Sequence, residues 1–503
     1  MDIIWQSMVA VFNPLTFALI LVGTLWGMIA GALPGLSTSM AVILLLPFTY
    51  GMEPVRAIVM LVSCYVGGAA GGSISSILIK TPGTPEAVAS TFDGYPMTQQ
   101  GKSGEALGLS ITASSFGTIF SALVMIIAAP ALAVVAISFQ SAEYFALGLL
   151  GLSCITSIGA KNQLKAVLSV LIGVAVSTVG IDGINGVERY SFGQPFLMNG
   201  INFISVMIGA FAIAEVLKNI EETSTRQAGT SLRIAGKISM KLMKFVDMLK
   251  MWKTFIVSSV IGVIIGIIPA AGGSIASLIA YGEAARSNKD LPKFGEGNPK
   301  GVIAPECGAN ACTGGAMVPT MVLGIPGSPV TAIIMAAFMI IGLRPGPLLL
   351  RQQPVLLNAV FLGLLASALL LFLFGRFLSR QFGHILKLPY PLLGTSIVLL
   401  GVVGAYSLGN SIYDVIVMFI FGLVGYFFDK FQYSPAGMIL GLILGGIIEN
   451  SLRKQIIIGD GSGWGLITRP IALVILLLAI FTFVSPMITR ALKKKKPVAA
   501  SEE

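Results

Sequence analysis

Apolar runs close to the length that crosses a bilayer, about 20 residues, follow one another along this chain with short polar breaks between them. In the first half they fall near residues 15–33, 56–79, 107–137, 144–158, 165–179 and 201–217. In the second half they fall near 254–268, 303–323, 355–377, 392–408, 412–428, 436–448 and 471–487. The pattern predicts an all-α polytopic membrane protein with roughly 10–12 spans. The first run follows an acidic Asp2 and no basic residue, and it ends in Gly31-Ala32-Leu33-Pro34-Gly35 without a small-x-small cleavage signature. It reads as a retained helix, not a removed signal.

One stretch departs from the plain pattern. Residues 304–329, APECGANACTGGAMVPTMVLGIPGSP, are long and apolar enough to enter a bilayer, yet glycines and prolines break them and they carry Glu306 and Asn310. Irregular backbone at membrane depth is tolerated only where protein buries it or where it lines a polar cavity. The stretch therefore reads as a lining.

The first half carries a counterpart. GMIAGALPGLSTSMAVILL (27–45) aligns with GVIIGIIPAAGGSIASLIA (262–280), pairing Gly27 with Gly262, Gly31 with Gly266, Pro34 with Pro269 and Ser39 with Ser274, an offset of 235 (269 − 34). Pro82-Gly83-Thr84-Pro85 then aligns with Pro326-Gly327-Ser328-Pro329 at an offset of 244 (326 − 82). Each half has the same plan, a proline-broken helix followed by a Gly/Pro-rich one. Lys80 and Lys102 place the end of the first Gly/Pro element inside, whereas Arg286, Lys289, Lys293 and Lys300 place the start of its partner there. Arg344 and Arg351 would then face outward, against the trend. The halves are expected to form an inverted-topology repeat with interrupted or re-entrant helices, the signature of a secondary transporter whose site lies between the repeats. The expected division is a first repeat over 1–218, a basic cytoplasmic linker over 219–253, a second repeat over 254–490 and a basic cytoplasmic tail over 491–503. Within the linker, Ile238, Leu242, Phe245, Val246, Leu249 and Trp252 recur at helical spacing among lysines, which fits an interfacial amphipathic helix or a linker packed on the membrane part.

Composition sharpens this. At 55% hydrophobic, 11% charged and mean hydropathy +0.90, the chain is far from a soluble enzyme, whose charged share is about 25%. The net charge of +10 comes from Lys and Arg clustered in loops, as between Lys218 and Lys253, so it reports topology and not nucleic-acid binding. Cys64, Cys154, Cys307 and Cys312 all lie in apolar segments, and the Cys307/Cys312 pair lacks the second ligand pair of a structural zinc site. The single His384 sits in a basic stretch read as a solvated loop. A phosphate-binding loop at Gly101-Lys102-Ser103 fails because Pro96 stands where its first glycine belongs. No enzymatic role and no cofactor is expected, and the only metal in view is sodium.

A helix that starts inside the membrane presents free N–H groups and roughly half a positive charge, a seat for a carboxylate. The breaks nominate Pro34, Gly35, Ser37, Thr38, Ser39, Lys80, Thr81, Pro82, Gly83, Thr84, Pro269, Gly272, Gly273, Ser274, Pro326, Gly327 and Ser328 as substrate-binding candidates. Their small side chains also suit plain close helix packing. An acid within a span costs about 2.5 to 3.5 kcal/mol on insertion scales, which makes Glu306 a functional candidate by default. Glu306, Asn310 and Thr313 are the cation-coupling candidates. Glu306 either meets the coupling cation or pairs with a basic residue such as Lys80, itself a substrate counter-charge or a snorkelling interface lysine.

Several of these residues carry a family resemblance. Pro82 to Pro85 with Asp93-Gly94-Tyr95-Pro96 downstream, together with Glu306, Asn310, Gly314-Gly315 and the LGIPGSP run, resemble the large membrane subunit of the tripartite tricarboxylate transporters, the TctA family. Lys80 and Gly308-Ala309 depart from that family's pattern. The resemblance implies a multi-pass protein of the bacterial inner membrane that takes up a small tri- or dicarboxylate, such as citrate. It implies coupling to Na+ or H+ without ATP, a small four-helix TctB-like membrane subunit, and a periplasmic TctC-like substrate-binding protein. A passive pore for small organic anions is the alternative, since interrupted helices line pores too.

Overall fold

The computed structural model describes residues 2–494 apart from 137, 159–162, 226–241, 270, 289–290, 347–348, 350–351 and 386–389. The chain is an all-α polytopic membrane protein. Among the described residues, seven helices are long and apolar enough to cross a membrane, and shorter apolar helices of 10–17 residues accompany them.

Ten helices build the region of interest: α1 (Pro14–Ala32), α2 (Thr38–Leu45), α3 (Pro54–Ile79), α4 (Ser90–Gln99), α5 (Ser103–Ala136), α6 (Trp252–Ile267), α7 (Gly272–Ser287), α8 (Pro299–Val318), α9 (Pro329–Ile340) and α10 (Pro354–Ile385). His384 falls inside α10, not in a loop. Residues 226–241 of the linker lie outside the described residues, as do tail residues 495–503. Of the described linker residues, 219–225 continue the helix Ala214–Thr225 across the expected boundary, Phe245–Lys250 forms a short helix, and Trp252 already opens α6.

The interruptions follow from local chemistry. α1 and α6 both stop at a residue turned to extended backbone, Leu33 and Ile268, ahead of Pro34 and Pro269. That is the conformation a following proline enforces. α3 ends at Lys80 in the left-handed region (φ 59°), and the helix from α8 ends at Gly324 in the same region (φ 71°), 244 positions later. Pro319 has no N–H to give the preceding turn, and the chain widens there into a π turn, Pro319–Leu323.

Close packing recurs at the same spacing. A methyl group on Gly27 would strike the Cys64 carbonyl and one on Gly31 the Gly68 carbonyl, while Gly262 stands against Gly308 and Gly266 against Cys312. Each second-half contact is the first-half contact moved by 235 on one helix and 244 on the other. Small residues every four positions let the backbones approach this closely, so α1 lies on α3 as α6 lies on α8.

The chain divides into two compact units, Met1–Ile137 with Asn202–Phe427, and Ser138–Ile201 with Phe428–Glu503. Each draws on both halves of the sequence. All ten labelled helices belong to the first. The second holds four apolar helices and a two-residue antiparallel hairpin, Gly180–Ile181 with Glu188–Arg189. Asp182, at the end of the hairpin's first strand, is buried and ion-paired with Arg453 and Arg189, and Arg189 meets Glu449 at 2.6 Å. That network lets the helix run on through Glu449 and Arg453 as Pro435–Ile458, ten residues past the expected end at 448.

Candidate functional site

In the first unit the breaks lean on α3 and α8. The Gly83 N–H donates to the Gly72 carbonyl at 3.2 Å, and Gly327 lies against Ala316. The two halves cross at this point. Tyr65 of α3 meets Ser328 of the other half, hydroxyl to hydroxyl at 3.3 Å. The turn Pro85–Ala87 packs on α7, and α9 packs on α2.

The polar groups here differ in what they already bind. Ser37 caps α2 by accepting from the Met40 N–H at 3.3 Å, and Ser328 caps α9 in a reciprocal box with Thr331. Thr38 lies buried over Gly68 and Thr84 over Gly72, one helical turn further along α3. Neither hydroxyl has a hydrogen-bond partner. α7 starts without any side-chain cap, Gly272 adopts φ +70°, and a Cβ built on that buried glycine meets no atom within 4 Å. No side chain caps its first turn. Pro269 and Gly273 are buried beside it and Ser274 is half-buried.

Other predicted residues have a plainer setting. Pro34, Ser39 and Pro82 are half-buried, and Pro326 is buried. Gly35 turns the chain at φ +91° against Asn219. Thr81 is exposed, its hydroxyl 3.4 Å from the Ile79 carbonyl. Lys80 is exposed, with Nζ 5.7 Å from the centre of the Tyr95 ring. The break at Thr81–Pro85 opens no full helix, only the three-residue 3-10 turn Pro85–Ala87 ahead of α4.

Glu306 is buried on α8, with Ser90 of α4 donating to one carboxylate oxygen and Ser114 of α5 to the other at 2.8 Å. Hydroxyls, not Lys80, receive its charge. The Asn310 amide donates to the Glu306 carbonyl at 3.0 Å and leaves its own oxygen without a partner. The Thr313 hydroxyl donates to the Asn310 carbonyl at 2.6 Å. Among the described residues, no group of three or more His, Cys, Asp or Glu could hold a metal ion.

Sequence reasoning missed two acids. Asp93 is fully buried, and its Oδ1 accepts from the N–H groups of Gly295, Gly297 and Asn298 while Tyr281 donates to Oδ2. Glu86 presses its Cγ on Gly273, beside the Ala309 carbonyl, and its Oε2 is buried without a partner. The signal for Glu86 was adjacency, since it directly follows Pro82 to Pro85. For Ser90 and Ser114 nothing in the sequence separates them from the other serines.

A model of the tripartite tricarboxylate transporter TctA family matches residues 17–440. The chain belongs to this family. The match takes in every break, both missed acids and the α8 polar face, and it stops inside the helix Pro435–Ile458. As a TctA-family protein, the chain is a multi-pass membrane subunit of a tripartite tricarboxylate transporter. It is 33% identical over 491 residues, 98% of this chain and 97% of the relative, to an uncharacterized 52.8 kDa protein in the TAR-I ttuC' 3' region of Agrobacterium vitis. It is 31% identical over 242 residues, 48% of this chain and all of the relative, to an uncharacterized protein in the TAR-II ttuC' 3' region of the same organism. No solved structure matches it.

Proposed function

We propose that this TctA-family chain is the translocating subunit of a symporter that carries a small tri- or dicarboxylate, such as citrate, into a bacterial cell across the inner membrane, driven by Na+ or H+. The observation that carries the reading is one helix–break–helix plan repeated in both halves, with the breaks of each half meeting the other at Tyr65–Ser328 and Glu86–Gly273. The opposite placement of Lys and Arg supports inverted halves, and paired interrupted helices in inverted halves are the arrangement behind alternating access.

The N-terminus of α7, which no side chain caps, offers a seat for a substrate carboxylate, and the Thr38 and Thr84 hydroxyls lie in the same region as donors. Coupling needs a buried charge whose cost falls when a cation arrives. Buried Glu306, with Asn310 and Thr313 beside it, and half-buried Glu86, whose Oε2 is buried, are the charges available. Substrate reaches the site from a periplasmic TctC-like binding protein, and a TctB-like four-helix subunit completes the complex.

Proteoliposomes carrying the chain with both partners test this. Labelled citrate should accumulate only under an inward sodium or proton gradient. Uptake indifferent to both gradients refutes symport, and equilibration without accumulation makes the protein a passive pore.

A further inference from the structure

Three acids of the first unit bury carboxylate oxygens, and their donors differ. Asp93 accepts four hydrogen bonds, three from backbone N–H groups and one from Tyr281. Glu306 accepts one serine hydroxyl on each oxygen. Glu86 Oε2 accepts none. Among the described residues none of the three forms an ion pair with Lys or Arg. Glu86 as a residue is half-buried, but a carboxylate oxygen withdrawn from water without a donor is costly until a cation or a proton meets it.

The surroundings of Glu86 choose between those two. A Cβ on Gly273 would lie 2.7 Å from Glu86 Cγ and 3.5 Å from the Ala309 carbonyl oxygen, so acid and carbonyl flank one α-carbon. Thr84, two residues earlier in the same turn, is 2% exposed and its hydroxyl has no partner. A proton needs one acceptor, whereas several neutral oxygens around one carboxylate are the donor set of a hard metal ion. One negative charge matches one positive charge. Space for an ion is at hand, because the position a Cβ would take on Gly272 meets no atom within 4 Å.

We infer that Glu86, Thr84 Oγ1 and the Ala309 carbonyl form a binding site for a monovalent alkali cation, sodium, beside the N-terminus of α7. The consequence for coupling rests on the symport reading above. An unneutralised Glu86 repels a substrate carboxylate from the α7 N–H groups, and a bound cation removes that repulsion. The cation therefore binds first, and the anion follows.

The test is equilibrium binding of radiolabelled sodium to the purified full-length chain, without substrate or gradient, followed by labelled citrate binding with and without sodium. The native chain should bind sodium saturably. Glu86→Gln should weaken that binding by about tenfold or more, because it removes the charged ligand, and should make citrate binding independent of sodium. Glu86→Asp should keep part of the affinity, Thr84→Ala should lower it, and Glu53→Gln, in an exposed pair with Arg56, should leave it unchanged. No saturable sodium binding to the native chain overturns the site. So does Glu86→Gln binding like the native chain, or Glu306→Gln removing binding that Glu86→Gln keeps. If Glu86→Gln is not monodisperse, Thr84→Ala with unchanged sodium affinity overturns it instead. Sodium binding combined with gradient-indifferent uptake would leave the site standing and remove only its coupling role.

Discussion

Asp93 is the contact whose loss is most directly calculable. Its Oδ1 holds the N–H groups of Gly295, Gly297 and Asn298 at 2.9, 2.9 and 2.7 Å, so one oxygen of α4 pins the loop that leads into α8. Asp93→Ala leaves those donors behind. The Gly297 and Asn298 groups are buried, whereas Gly295 is exposed and can turn to water. Each stranded buried donor costs about 1–3 kcal/mol, so the variant should lose about 2–6 kcal/mol. That is a large share of the 5–15 kcal/mol typical of a folded domain. Asp93→Asn keeps an acceptor oxygen for the loop and gives up the charge assistance and the acceptor for the Tyr281 hydroxyl, so its loss should be roughly half as large. Equilibrium unfolding in micelles supplies the free energies, and hydrogen exchange across 295–301 shows whether the loss is local. An alanine variant within about 1 kcal/mol of native, below the cost of one stranded donor, would refute the reasoning. An asparagine variant as damaged as alanine would do the same.

Three further outcomes are expected. Gly27→Val and Gly262→Val each drive a side chain into a facing carbonyl, so both should lower stability by about 1–3 kcal/mol or more; tolerance at either position in a thermal-unfolding measurement contradicts the matched packing. Asp182 is held well below the usual carboxylate range, first by the Arg453 hydrogen bond and then by the Ile184 N–H. Its folded value is depressed, so its stabilisation is present above about pH 4 and is lost only as pH falls through the lower folded value; proteolysis of the hairpin should be flat across neutral pH and rise only in strong acid, whereas Asp182→Asn should open it at neutral pH. A cysteine placed at Lys253 should react with an impermeant thiol reagent from the cytoplasmic side alone, and labelling from outside would reverse the assumed topology.

The legible part of this protein was its periodicity and punctuation. Apolar windows gave the helices because helix length against bilayer thickness is a one-dimensional constraint. Pro34 and Pro269 gave the breaks because a proline restricts the residue before it whatever surrounds it. The matched glycines were legible as a pattern, and their role became plain only with the facing carbonyls in place. Glu306 stood out because an acid in an apolar run has no bland setting in sequence. Glu86 did not stand out, since an acid after a proline-rich turn looks like an ordinary loop acid.

What the sequence by itself determined, then, is a repeated membrane plan with polar breaks and the family to which it belongs. Partners across the fold were decided by tertiary structure alone. It surrounded Glu306 with Ser90 and Ser114 from two other helices, gave Asp93 the backbone of a loop about two hundred residues away, and left Oε2 of Glu86, beside Gly273, without a donor. The physical reason is that a carboxylate's state depends on which donors reach its oxygens. Those donors come from segments whose sequence distance says nothing about their distance in space.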